Sequence, residues 1–143
     1  MSTVITLDEG VVTINQSMLD NLKIAALNDI DKRARYCVHK SDSDIVHEMI
    51  IAFTKESTIK PHRHSDKCES YYIIEGELDI LIFNDKGVVK SKLLLSTDLS
   101  KGAYFCRMPM NMWHTVVPKS KFVIIYEVTN GPFIKDSTEY AQW

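Results

Sequence analysis

The chain has 143 residues, enough for one domain that buries about 68–70% of the surface of its unfolded chain. Its 45% hydrophobic and 25% charged residues are ordinary for a globular protein, and a formal net charge of −2 gives no electrostatic case for nucleic-acid binding. No apolar run approaches the roughly 18 residues of a membrane-spanning helix, so we expect no membrane span.

The N-terminal stretch and the cysteines indicate a reducing compartment. Met1–Gly10 carries acidic residues and lacks the basic segment and apolar core that mark a signal peptide. Cys37, Cys68 and Cys106 form an odd and sparse set, typical of proteins whose thiols stay reduced. We interpret Cys68 and Cys106 as inert buried thiols, and we expect a cytoplasmic protein.

The first 32 residues predict a short strand and a helix. Val11–Ile14 is a β-like run that suits an edge strand. Ser17 then opens a helix, with Asp20 three residues later in a pattern that resembles a capping box. Apolar residues recur at helical spacing up to about Asn28, which predicts an amphipathic helix that covers one side of a sheet.

From Ala34 onward the hydrophobic period becomes two, which predicts a series of strands. The predicted strands are Ala34–His39, Asp44–Thr54, Ser70–Ile74, Glu77–Phe83, Val88–Leu95, Ala103–Arg107, Met112–Val117 and Phe122–Thr129. Many short strands separated by polar turns favour an all-β sandwich or barrel. The tail Phe133–Trp143 follows, and its aromatic residues could pack on the barrel or on a second subunit.

One polar segment combines residue types that bind metals. His62 and His64 are separated by one residue, so in an extended strand they face the same way with Cα atoms about 7 Å apart. Arg63 between them must face outward. The polar connection Ser65–Cys68 would turn the chain back and bring Glu69 in on a second strand beside the imidazoles. Two nitrogens and one carboxylate on one wall make most of a divalent-metal site.

A second segment supplies a fourth candidate ligand. Gly102 and Pro109 punctuate the chain before His114, which begins a new strand. Three nitrogens and one carboxylate would leave coordination positions for water, which favours a functional metal over a purely structural one. We predict one divalent ion, zinc, iron, manganese or nickel, bound by His62, His64, Glu69 and His114.

These two segments resemble the two sequence motifs of the cupin superfamily. The matching residues are His62, His64, Glu69, Gly76, Gly102, Pro109 and His114. The second segment departs at Asn111, where the family usually has glycine, and at Pro118, where it usually has asparagine. Asparagine is enriched at positive φ, so Asn111 can make the same turn.

The resemblance implies an all-β fold: a single-domain cupin jelly-roll β-barrel with a short N-terminal helix. We divide the chain into an N-terminal strand and helix (1–32), the barrel (33–131) and a C-terminal tail (132–143). From about Arg33 to Gly131 the chain also resembles the WbuC-type cupin-fold metalloproteins, small bacterial proteins found in surface-polysaccharide gene contexts. The matching segments are Arg33–His39, His47–Ile51, His62–His64, Glu69–Ser70 and Ile74–Asp79. That resemblance implies a role in surface-polysaccharide biosynthesis and a sugar, sugar phosphate or nucleotide sugar as substrate.

Five further residues are candidates for the pocket. Tyr71 shares the predicted face of Glu69 and is either a pocket hydroxyl or a core aromatic. His47 is either a pocket residue or a core histidine, and these two residues are the available catalytic bases. Arg33 and Arg35 share one face and, with His39, could bind an anionic ligand such as a phosphate or carboxylate. Surface salt bridges are the alternative for the arginines.

Two classes of function remain open. The first is an enzyme, either a metal-dependent isomerase or epimerase of a sugar or, with iron, a dioxygenase of a small molecule. The second is a binding module that holds a sugar or small anion without turnover. We expect no nucleic-acid or membrane partner. Exposed sheet edges and the aromatic tail predict a homodimer.

Overall fold

The computed structural model describes residues 2–7 and 10–143, which contain eleven strands and one helix. The strands are β1 (Thr3–Thr6), β2 (Arg33–Cys37), β3 (Val46–Thr54), β4 (His62–His64), β5 (Glu69–Glu75), β6 (Glu77–Phe83), β7 (Val89–Ser96), β8 (Phe105–Met108), β9 (His114–Pro118), β10 (Phe122–Asn130) and β11 (Thr138–Tyr140). The helix α1 spans Gln16–Asn28. No helix in the described part of the chain is long and apolar enough to cross a membrane.

The strands form two sheets that face each other across an apolar core. The six-stranded sheet has the order β1-β2-β3-β10-β5-β8, and the five-stranded sheet has the order β11-β4-β9-β6-β7. Every second side chain of a strand points inward, so both sheets contribute to one core. Its members include Ile51, Phe53, Ile73, Val123 and Ile125 from the first sheet and Leu78, Ile80, Leu95 and Val116 from the second.

The two sheets are not closed into a barrel, which corrects the prediction of a β-barrel. Where the two sheets approach each other, the N–H of Ala103 donates to the carbonyl of Leu94 at 3.0 Å. The carbonyl of Tyr104 accepts the N–H of Ile73, also at 3.0 Å. Ala103 therefore bonds to the five-stranded sheet and Tyr104 to the six-stranded sheet. The contact with the five-stranded sheet is an isolated β-bridge between Leu95 and Ala103 and not a strand. Within residues 2–7 and 10–143, no continuous strand ladder joins the two sheets.

Helix α1 covers the outer face of the six-stranded sheet, as the apolar periodicity predicts. Leu22 and Ala26 are fully buried against Tyr36, Ile50 and other residues of β2, β3 and β10. The N-cap is Asn15, two residues before the predicted Ser17, so the helix begins at Gln16. The Asn15 side chain accepts the N–H of Met18 at 3.0 Å, which satisfies a donor that the first turn leaves free.

All eight strands predicted from Ala34 onward are present, with ends that differ by at most two residues. Two further strands lie at the ends of the chain. The predicted edge strand at Val11–Ile14 is wrong: the first strand is β1, which pairs in parallel with β2. The C-terminal tail is also partly a strand, because β11 pairs with β4 at the edge of the five-stranded sheet.

The connection Ser65–Cys68 does not make the predicted turn between neighbouring strands. Strand β4 belongs to the five-stranded sheet and β5 to the six-stranded sheet, so these four residues carry the chain from one sheet to the other. As a result, Glu69 faces the two histidines across the interior. Asn111 confirms the predicted turn at the second motif, with a φ of 62° and an N–H that donates to the carbonyl of His64 at 2.7 Å.

Candidate metal centre

Three strands bring the four predicted ligands to one place in the interior. Strand β4 supplies His62 and His64, β9 supplies His114 directly opposite His62, and β5 supplies Glu69 from the facing sheet. One side-chain nitrogen or oxygen of each residue lies within 4.8 Å of those of the other three. Three of the residues are buried and His62 is partly exposed, so the cluster reaches solvent on the side of His62.

The hydrogen bonds of two histidines aim their free nitrogens at the centre of the cluster. His62 Nδ1 lies 2.8 Å from the carbonyl oxygen of Lys60, and His114 Nδ1 lies 2.8 Å from that of Met112. Because a carbonyl oxygen only accepts, each Nδ1 must donate, which leaves the lone pair on Nε2. Metal-binding histidines are commonly fixed by such a bond from the other ring nitrogen.

Acceptor atoms therefore meet in the centre. The carboxylate of Glu69 places Oε2 at 3.1 Å from His114 Nε2 and Oε1 at 3.1 Å from His64 Nε2. His64 Nε2 is buried and has no hydrogen-bond partner in the described residues. Buried lone pairs at these distances require a cation between them, either a proton or a metal ion. The donor set of three imidazoles and one carboxylate fits a divalent metal ion.

The imidazole of His62 is held neutral, as a metal ligand must be. Burial lowers the pKa of His62 to about 4, and the neighbouring His114 adds to the shift. Burial alone would raise the pKa of Glu69, but contacts with the imidazoles, His114 first, outweigh it and hold that pKa well below its usual range. Neutral imidazoles and an ionised carboxylate are the forms that coordinate a metal ion.

Tyr71 lies in the cluster, as its predicted place on the face of Glu69 requires. The side chain is buried, its hydroxyl donates to Glu69 Oε2, and the hydroxyl oxygen is 3.2 Å from His114 Nε2. Burial first, and then the charge of Glu69, raise the pKa of Tyr71 well above 10. The phenol therefore orients the carboxylate as a neutral donor.

Glu127 is a neighbour of the cluster that sequence reasoning missed. It lies on β10 opposite Tyr71, it is buried, and its side chain is hydrogen-bonded to Glu69. Burial and the negative charge of Glu69 raise the pKa of Glu127 well above its usual range, so Glu127 holds a proton beside the ionised Glu69. The sequence signal that could have identified Glu127 is its place in the alternation of β10. Val123 and Ile125 point into the core, and Glu127 is the next residue on that face.

The other predicted pocket residues lie further along the six-stranded sheet. His47 is on β3, two strands from β5, and stacks on His39 with ring centroids 4.0 Å apart. Arg33 and Arg35 are on β2, three strands from β5, which separates them from Glu69 by about 14 Å across the sheet. The Nη2 of Arg35 donates to the hydroxyl of Ser2 at 2.7 Å. These residues share the inner face with the cluster but do not contact it.

Other side chains of the protein contact Cys68, Cys106 and Arg63. Cys68 is partly buried, with its Sγ 3.4 Å from Nη2 of Arg107, and Cys106 packs against the core. Arg63 faces outward as predicted. It does not lie free in solvent, because its guanidinium stands 4.5 Å from the ring centre of Trp113 and bonds to Glu139 at 2.7 Å.

Solved structures share this fold at low sequence identity. Protein SO0799 from Shewanella oneidensis is 14% identical with a TM-score of 0.62, and the match covers 75% of this chain and 72% of that one. KdgF from a Halomonas species is 15% identical with a TM-score of 0.57, covering 76% and 87%. A putative sugar phosphate isomerase from Acidithiobacillus ferrooxidans is 11% identical with a TM-score of 0.51, covering 67% and 56%.

These structural matches show a cupin-like fold. At such identities the likeness concerns the fold alone. No curated protein matches the chain in sequence. A family model does match, the domain of unknown function DUF6016, over residues 14–95. This range is more than half of the chain, and it includes α1, β2 to β6, all but the last residue of β7, and three of the four clustered residues. The chain therefore belongs to the DUF6016 family.

Proposed function

We propose that this protein binds one divalent metal ion through His62, His64, Glu69 and His114. The observation that supports this most directly is the buried His64 Nε2, which lies 3.1 Å from Glu69 Oε1 but not in a geometry that makes a hydrogen bond. The tautomers of His62 and His114 add two more lone pairs aimed at the same point. Acceptor atoms held this close together in a largely buried cluster would be costly without a cation between them.

We further propose that the protein is an enzyme that acts on a carbohydrate-type small molecule, as an isomerase or epimerase. A divalent ion with open positions can polarise a carbonyl or hydroxyl group, or activate water. His62, the partly exposed ligand, marks the side on which a substrate can approach. Tyr71 orients Glu69 through its hydroxyl.

The support for a sugar substrate is the resemblance to WbuC-type proteins together with the fold shared with a putative sugar phosphate isomerase. A role in surface-polysaccharide biosynthesis rests on the same resemblance. Arg33, Arg35 and His39 stay candidates for an anionic group of the substrate, and His47 stays a candidate base. Their place on the inner face of β2 and β3 would require a ligand that extends across the sheet from the metal.

The first experiment is elemental analysis of the protein purified from its own cells without added metal or chelator. We expect about one divalent ion per chain. The variants His62→Ala and His114→Ala should each lose most of the bound metal. The control Arg107→Ala replaces an exposed side chain on β8 and should keep the metal. Full metal content in both histidine variants would contradict the proposed site.

The second experiment separates an enzyme from a binding module. Sugars, sugar phosphates and nucleotide sugars are incubated with metal-loaded protein, and NMR follows both line broadening and new signals. An epimerised or isomerised product that is absent with His114→Ala would support the enzyme. Binding without conversion, with and without oxygen, would favour the non-catalytic module. Oxygen consumption with an iron-loaded sample would instead favour the dioxygenase.

A further inference from the structure

The C-terminal strand lies against the two histidines of β4. Strand β11 pairs antiparallel with β4, with Thr138 opposite His64 and Tyr140 opposite His62. Residues directly opposite each other in an antiparallel pair have side chains on the same face. Thr138 and Tyr140 therefore flank the proposed metal ligands, and the rings of Tyr140 and His62 have centroids 6.0 Å apart.

His64 differs from the other two histidines in what holds its ring. The Nδ1 atoms of His62 and His114 are each held by a backbone carbonyl two residues away in sequence. The Nδ1 of His64 instead lies 3.1 Å from the hydroxyl oxygen of Thr138, 74 residues away. Binding of a metal through Nε2 requires the proton on Nδ1, and the Thr138 hydroxyl is the group placed to accept it.

The segment that carries Thr138 is held in place by contacts that do not involve His64. Glu139 accepts a hydrogen bond from Nε of Arg63 at 2.7 Å, and Ala141 donates its N–H to the carbonyl of Pro61 at 2.9 Å. The Trp143 ring lies 5.2 Å from that of Phe83. Its face covers Gly87, where even a methyl side chain would collide with the indole.

We propose that Thr138 is a positioning residue of the metal centre, and that docking of residues 138–143 and metal binding reinforce each other. The inference rests on the proposed metal site. Loss of a partner that orients a metal-binding histidine typically lowers metal affinity by about 10- to 100-fold. Because linkage is reciprocal, metal should stabilise the docked tail by the same factor.

The test compares Thr138→Val, which keeps the shape but removes the hydroxyl, with Thr138→Ser, which keeps the hydroxyl. Zinc affinity of the metal-free proteins is measured by competition with a chromophoric chelator. We expect valine to weaken zinc binding about 10- to 100-fold and serine to restore it to within about 3-fold of wild type. The rise in thermal midpoint that zinc produces should also be smaller in Thr138→Val than in wild type, which a hydroxyl that stabilises only the metal-free fold would not cause.

A double-mutant cycle tests whether the whole tail is involved. Trp143→Ala removes an anchor that touches no ligand, and it should also weaken zinc binding. The double variant should bind zinc about as weakly as the weaker single variant, because both changes break the same contact with His64. Additive losses would mean that Trp143 acts by another route, through its ring contact with Trp113, the residue before His114, at a centroid distance of 5.8 Å. That result would overturn the role of the tail.

Hydrogen exchange gives a reading that is independent of affinity. The amide of Ala141, bonded to Pro61, should exchange more slowly when zinc is bound, and Thr138→Val should reduce this protection. If wild type binds zinc while Thr138→Val binds it equally well, the inference fails and the metal site stands. If wild type binds no divalent metal, the proposed function fails as well.

Discussion

Two acidic side chains lie together in the interior beside the candidate ligands. Glu69 is ionised and accepts a hydrogen bond from the hydroxyl of Tyr71, whereas Glu127 keeps its proton and is hydrogen-bonded to Glu69. A buried pair of carboxyl groups is tolerated when one of them is neutral, because two adjacent negative charges would repel each other in a medium of low dielectric constant. Glu127 thus serves the site as a neutral donor.

This assignment predicts opposite results for two changes at Glu127. Glu127→Gln keeps a neutral side chain that can donate to Glu69, so the free energy of unfolding should change by less than about 1 kcal/mol. Glu127→Ala leaves Glu69 without that donor and should cost about 1–3 kcal/mol. Urea unfolding of the metal-free proteins measures both. An equal loss in the two variants would show that the hydrogen bond to Glu69 is not what Glu127 contributes.

Asn111 makes a second prediction at the residue scale. Its φ of 62° lies in the left-handed region, which costs most residues with a Cβ roughly 1–2 kcal/mol. Asparagine tolerates the region better than alanine does, and glycine has no such penalty. Asn111→Ala should therefore destabilise the protein by about 1 kcal/mol, and Asn111→Gly should be neutral or stabilising. Chemical denaturation of both variants checks the order, and alanine at least as stable as glycine would contradict it.

At the scale of elements, helix α1 closes the outer face of the six-stranded sheet. Leu22 is fully buried against the sheet, whereas Leu27 on the same helix is 44% exposed. Leu22→Ala should lower the free energy of unfolding by about 2–5 kcal/mol, because it removes apolar contacts and leaves a cavity. Leu27→Ala is the matched control and should cost less than about 1 kcal/mol. Thermal unfolding followed by circular dichroism measures the difference, and similar losses would mean that the helix does not dock as described.

The elements also show what sequence could and could not predict. Strand positions and the clustered residues were predictable because they depend on local spacing: His62 and His64 must share a face, and His114 follows a turn that Asn111 can make. The sequence did not predict to which sheet each strand belongs, because strand pairing joins residues that are far apart in sequence. Nothing local in Ser65–Cys68 distinguishes a hairpin from a crossing between sheets. The pairing of β11 with β4 is likewise a property of the folded chain.

For the whole molecule, the exposed edge of the six-stranded sheet bears on the predicted homodimer. Tyr72, Tyr104 and Phe105 are each about half exposed at the β8 edge, whereas the tail that also suggested pairing packs on its own chain. An uncovered edge strand with apolar side chains favours association. We predict a dimer in light scattering, near twice the chain mass of 16.4 kDa, and a monomer for Phe105→Glu. A monomeric wild type would refute the prediction.

Metal binding should stabilise the entire fold, because the four ligands lie on three strands from both sheets and meet only in the folded chain. A ligand at about 100 times its dissociation constant adds about 2.7 kcal/mol to the free energy of unfolding. For a domain of this size, that corresponds to a rise in the thermal midpoint of roughly 5–10 °C. Thermal unfolding with added zinc, manganese or nickel measures the rise, and a chelator should reverse it. His114→Ala should show little of the effect, whereas Leu27→Ala should show all of it. A wild-type midpoint that no divalent metal raises would contradict a site shared between the two sheets.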